Sequence, residues 1–177
     1  MALNIAVVED DNVAAEEIQT CIRRFGEEYK ENVTFARYKN ADEFLAAYDG
    51  KFNLILMDIE MPGTDGMSAV RKLREFDRNV LVIFVTNLAS CAINGDEVEA
   101  FAFVVKPISY YNFCLKLSRA AERIRSLIGV DIWVSNRDGK QKVCSEDVVY
   151  IEVMRHTITF HTKRGDITTG NGTLVSI

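Results

Sequence analysis

The chain has 177 residues, 48% of them hydrophobic, and a formal net charge of −5 at pH 7. That length holds one ample domain, or one of about 120 residues with a small second unit. Nothing in it approaches the roughly 18 apolar residues of a membrane span, no charged leader with an apolar block opens it, and its four cysteines lack Cys-x-x-Cys spacing, which argues against a zinc site and a disulfide framework.

The apolar run 4–8 reads as a strand and ends in Glu9-Asp10-Asp11. A helix is predicted from 12 to about 25, with Asn12 placed as its cap. A second strand over 33–37 and a short helix over 41–48 follow. The run 54–57 is a buried strand ending in Asp58, then Ile59-Glu60-Met61-Pro62-Gly63-Thr64-Asp65-Gly66. Asp65 or Ser68 starts a helix reaching Arg74. The strand 80–85 ends in Thr86, and the strand 101–105 ends in Lys106-Pro107. Residues 88–98 stay open between loop and short helix, with Gly95 limiting any helix. The last helix of this part runs from 110 to about 127, with Phe113, Leu117, Ala120, Ala121 and Ile124 on one face. Alternation of this kind predicts an α/β fold with a five-stranded parallel, doubly wound sheet.

After Gly129 the period changes. Strand-like runs at 132–134, 141–143, 148–153, 157–162 and 166–169 are joined by Asp138-Gly139 and Lys163-Arg164-Gly165 turns. They predict a small, partial all-β unit. Residues 1–127 hold 15 Lys/Arg against 20 Asp/Glu, and residues 128–177 hold six of each. The first part is therefore a poor nucleic-acid surface, and the second is neutral.

Acids, a hydroxyl and a lysine thus stand at strand ends, where open parallel sheets carry their ligand sites. Converging carboxylates repel one another unless a cation separates them. A hard divalent ion with oxygen ligands, Mg²⁺ in particular, suits such a set. One carboxylate can then attack phosphorus and form an acyl phosphate. Lys106 supplies fixed positive charge to the phosphoryl oxygens, and Thr86 a hydrogen bond.

This constellation resembles the receiver domain of bacterial response regulators over residues 1–127. The resemblance implies that Asp58 is the phospho-acceptor and that Glu9 and Asp10 hold Mg²⁺ together with Asp58 and the Glu60 backbone carbonyl. It implies that Thr86 is the switch hydroxyl, Phe103 the switch aromatic and Lys106 the phosphate-facing lysine, with Lys106-Pro107 matching a cis junction. Asp11 falls one place beyond the acidic pair. Asn87 departs from the small residue the family places after its hydroxyl, and an altered lifetime of the phosphorylated state is expected from it.

Asp147-Val148-Val149-Tyr150-Ile151-Glu152, with His156 and Gly165, resembles the opening half of the LytTR DNA-binding domain over residues 131–177. The resemblance implies that His156, with Arg155 beside it, faces DNA. The family's domain runs further, so a chain ending at Ile177 is expected to bind DNA weakly or not at all. Together the two resemblances imply a cytoplasmic, phosphorylation-switched transcription regulator that is not an enzyme beyond slow self-phosphorylation and dephosphorylation. Its expected partners are a sensor histidine kinase and promoter DNA, without a membrane. A second copy is expected to pair through the last receiver strand and helix, near Tyr110, Tyr111 and Phe113. The alternatives are a phosphatase using Asp58-Ile59-Glu60 as an acid-x-acid nucleophile motif, and a receiver that acts through protein contacts alone.

Overall fold

The computed structural model describes residues 2–87, 98–127, 131–136, 139–155 and 157–169. It divides into two compact units, Met1–Ile124 and Arg125–Ile177.

In the first unit the strands are β1 (Ala2–Val8), β2 (Asn32–Tyr38), β3 (Leu54–Met57), β4 (Leu81–Thr86) and β5 (Ala102–Val105). They form one parallel sheet in the order β2-β1-β3-β4-β5. Side chains alternate across a strand, and helices on both faces make both sets apolar. Ile5, Val7, Leu54 and Leu56 pack with Ile18, Ile22, Phe25, Phe113 and Leu117 from α1 (Asn12–Tyr29) and α4 (Tyr110–Leu127). Ala6, Val8, Ile55 and Met57 pack on the other face with Phe44, Val70 and Leu73 from α2 (Ala41–Ala47) and α3 (Gly66–Arg74). Each fully buried side chain of this size contributes about 1.5–3 kcal/mol. The five residues expected on one face of the last helix are all buried. The segment left open at 88–98 lies, apart from Val98, outside the described residues, as does Cys91.

The helix starts correct one expectation and settle another. Asp11, not Asn12, caps α1: its extended backbone lets its carboxylate accept the Ala14 N–H at 2.7 Å, whereas Asn12 is already helical. The cap must stand one residue before the first helical one to reach a free N–H. Asp65 caps α3, accepting the Ser68 N–H at 2.9 Å.

The second unit pairs β6 (Asp131–Asn136) with β7 (Gly139–Cys144) as a hairpin, and β8 (Val148–Met154), β9 (Thr157–Thr162) and β10 (Gly165–Thr169) as an antiparallel meander. Val134, Val143, Ile158 and Phe160 form its small core. The Lys163–Arg164 turn closes through Thr162, whose Oγ1 donates to the Gly165 carbonyl at 2.6 Å. Gly165 holds φ +131°, where a side chain would be strained.

Candidate functional site

Parallel register aligns Tyr38, Val8, Met57, Phe84 and Phe103 as partners across the sheet. Glu9 and Asp58 are the next residues of their chains, so both leave the sheet at the same edge. The Asp58 N–H donates to the Val8 carbonyl at 2.9 Å, which keeps the two exits abreast. From β5, Lys106 Nζ donates to Glu9 Oε2 at 2.7 Å and to Asp58 Oδ2 at 2.8 Å. Asp10, exposed, completes the cluster: one carboxylate oxygen from each of Glu9, Asp10 and Asp58 lies within 4.8 Å of the others. Asp58 Oδ1 accepts the Ile59 N–H at 2.6 Å and the Glu60 N–H at 3.3 Å. Thr86 is fully buried at the end of β4, and its carbonyl accepts the Lys106 N–H at 3.0 Å. Half-buried Phe103 stacks on Phe84 with ring centroids 5.3 Å apart. Asn87 is exposed beside Thr86, and the Lys106-Pro107 bond is cis. The fold thus brings Glu9, Asp10, Asp58 and Lys106 together, and it turns Asp11 away to the start of α1.

The electrostatics follow from three acids meeting one ammonium. Burial pushes the Glu9 carboxyl up to about 7, the negative charge of Asp58 adds to this, and the Lys106 hydrogen bond only partly offsets it. Burial opposes the charge on Lys106, but its bonds to Asp58 and Glu9 outweigh that and raise its pKa. Oxygen donors converging with too little positive charge are the donor set a hard divalent cation answers.

A pH dependence follows. With a folded-state value of about 7 against an ordinary 4.5, Glu9 stabilises the metal-free fold below pH 4.5, and that contribution is lost as pH rises through 7. A cation requires the ionised form, so its binding runs the other way. With Glu9 as a ligand, apparent Mg²⁺ affinity should fall about tenfold per pH unit below the Glu9 value, one proton being displaced. Calorimetric titration at pH 8 and pH 6 measures this, and an equal affinity at both would mean that no proton leaves Glu9 on binding, either because it is not a ligand or because it is already ionised at pH 6.

Two residues given no role by the sequence help to shape the pocket. A Cβ on Gly66 would overlap the Asp58 carbonyl oxygen and stand 2.9 Å from its carbonyl carbon and 3.0 Å from Ile59 Cα. The Gly66 N–H also donates to the Ile59 carbonyl at 3.0 Å. The start of α3 is therefore packed directly on the backbone of the Asp58 loop. The clue in the sequence was a glycine at the first helical position, which costs helix stability and needs a local reason. The second residue, Arg37 at the end of β2, reaches the backbone of Glu9 and Asp10; no motif marks it.

In the second unit Arg155 is exposed in the turn between β8 and β9 with φ +55°, and His156 lies outside the described residues. Arg164 pairs with Asp147 at 3.2 Å, so its charge is partly engaged within the unit. Of the three aromatics expected near a pairing surface, Phe113 is buried and Tyr111 is exposed. Tyr110 is tied down, donating to Glu28 Oε2 at 2.6 Å under the Arg24 guanidinium.

A doubly wound parallel sheet with acids, a buried threonine and a lysine at one edge defines a class, and the family comparison agrees. The model of the response regulator receiver domain matches residues 5–118, and the chain belongs to that family. It is similar to the sensory transduction protein LytT of Oceanobacillus iheyensis, 28% identical over 151 residues, which are 81% of this chain and 59% of that protein. It is also similar to the positive alginate biosynthesis regulatory protein of Pseudomonas aeruginosa, 24% identical over 180 residues, covering 93% of this chain and 71% of that one. The two-component response regulator ARR22 of Arabidopsis thaliana is 31% identical over 129 residues, covering 71% and 81%. The chain thus spans about six tenths of the length of the LytT relative. Among solved structures, the response regulatory domain of mrkE from Klebsiella pneumoniae superposes with a TM-score of 0.61 at 20% identity over 70% of this chain and 98% of that one. The Thermotoga maritima regulator TrrA, solved with Mg²⁺ and beryllofluoride, gives 0.57 at 23% identity over 66% and 97%. Within this chain, no described helix is long and apolar enough to cross a membrane.

Proposed function

We propose that Asp58 accepts a phosphoryl group from a sensor histidine kinase and that this state governs an output carried by the second unit. The observation that carries the reading is the Lys106 ammonium held between Glu9 and Asp58, with the Asp10 carboxylate beside them. Asp58 points one oxygen at Lys106 while backbone N–H groups hold the other. It is thereby oriented as a nucleophile, and the lysine stands ready for the transferred oxygens. The carboxylates of Glu9, Asp10 and Asp58 and the Glu60 carbonyl would hold Mg²⁺, which neutralises charge on the phosphoryl oxygens. Attack on phosphorus breaks the bond to the donor's nitrogen and leaves an acyl phosphate on Asp58. Thr86 then reorients toward the phosphoryl group, and Phe103 repacks beside Phe84. Such a local change biases a two-state surface.

Residues 1–127 form the receiver in this reading, and residues 131–177 are part of a LytTR-type domain. The alignment with the alginate regulator, which extends well beyond the receiver, supports the second assignment. The whole protein controls transcription in the cytoplasm, with Arg155 and His156 facing promoter DNA. A second copy pairs through β5 and α4, where Val105, Tyr111 and Leu115 are exposed.

The test is intact mass after incubation with Mg²⁺ and acetyl phosphate. A single phosphoryl adduct is expected. Steady phosphate release without an adduct would favour a phosphatase, and neither result would leave a receiver that signals by binding alone.

A further inference from the structure

The acidic pair sits on a loop that must leave β1 and turn two like charges toward a third. Backbone bonds from β2 restrain it. The Glu9 N–H donates to the Tyr38 carbonyl at 3.0 Å, which extends the β1–β2 ladder by one rung. The Arg37 guanidinium then takes the carbonyls: Nε and Nη2 donate to Glu9 O at 3.3 and 3.1 Å, and Nη2 also donates to Asp10 O at 3.3 Å. One planar fork therefore fixes two successive peptide planes of the loop. With those carbonyls held toward Arg37, rotation of either peptide plane would break a hydrogen bond. Those planes follow Glu9 and flank Asp10, so holding them sets the backbone angles from which the two carboxylates project toward Asp58.

We infer that Arg37 is a positioning residue for the divalent cation: it touches neither cation nor phosphoryl group, and it acts by clamping the backbone that presents Glu9 and Asp10. The inference rests on the reading of Glu9, Asp10 and Asp58 as the Mg²⁺ site. The clamp outweighs the charge. As a cation near a cation site, Arg37 repels Mg²⁺ through space, and if that were its main effect, removing it would tighten binding. As a fork, its removal loosens binding. Partners outside the ligand shell that orient metal ligands typically govern affinity by 10–100-fold. Lysine keeps the charge but has no rigid fork, so it separates the two effects.

The experiment is calorimetric Mg²⁺ titration of the full chain at pH 8 for wild type, Arg37→Gln and Arg37→Lys. Melting temperatures are recorded with and without Mg²⁺. Arg37→Gln is expected to bind Mg²⁺ about tenfold more weakly, and Arg37→Lys to lose affinity despite its charge. The rise in melting temperature on adding Mg²⁺ should shrink in both. Three results would overturn the inference: Arg37→Lys binding like wild type, Arg37→Gln binding more tightly, or both variants melting lower with an undiminished Mg²⁺-induced rise, which marks a merely structural arginine. Failure of wild type itself to bind Mg²⁺ is a separate outcome, which overturns the metal-site reading and the inference with it.

Discussion

Asp58→Asn is expected to abolish the phosphoryl adduct formed with Mg²⁺ and acetyl phosphate while leaving the receiver folded. The amide keeps an oxygen where Oδ1 accepts the Ile59 and Glu60 N–H groups at 2.6 and 3.3 Å, so the loop retains its anchors. It lacks the anionic oxygen that faces Lys106 at 2.8 Å, which is the nucleophile of the proposed function. Lys106 keeps Glu9, 2.7 Å away, so it is not left buried without a partner. Asp10→Asn should differ in kind. In the proposed reading it takes the charge from one Mg²⁺ ligand and leaves the nucleophile, so the adduct is expected to form more slowly and at higher Mg²⁺. Intact mass over time distinguishes the two. An adduct of undiminished yield on Asp58→Asn would assign the chemistry to another carboxylate.

Gly66→Ala is expected to be the most damaging glycine-to-alanine change among the described glycines of the receiver. The added carbon would meet backbone atoms of Asp58 and Ile59, not the yielding tip of a side chain. Either α3 backs away from the sheet or the Asp58 loop shifts. The first option disturbs the packing of Met67 and Val70, which are buried against the sheet. The second moves the Asp58 carboxylate off Lys106. The cost belongs at the upper end of overpacking, about 3 kcal/mol, and a domain of this size then melts roughly 10 °C lower. Mg²⁺ affinity should fall as well, because the carboxylate cluster depends on the same loop. A melt within a degree or two of wild type would mean that the helix start can slide without cost.

Much of the site was legible because its signals are local. A run such as Leu54–Met57 is buried on both faces, so it is apolar throughout, and the first polar residue after it marks the sheet edge. Asp58, Thr86, Lys106 and the acids after Val8 are each read in that way. The resemblance then supplied roles for them. The helix starts were less legible. Three acidic or amide residues in a row, Asp10-Asp11-Asn12, all suit a cap. Only the backbone angles of Asp11 decide which carboxylate reaches the Ala14 N–H and which stays in the pocket.

The sequence by itself determined the alternation of strand and helix, the residue at each strand end, and hence the family and its chemistry. These depend on the period of apolar residues and on turn signals a few positions apart. Tertiary structure alone decided how those ends meet. Lys106 lies 97 positions from Glu9 and 48 from Asp58, Arg37 lies 28 from Glu9, and Gly66 rests on a carbonyl eight residues earlier. Such contacts are fixed by parallel register and by the packing of helices on the sheet, which no local pattern encodes.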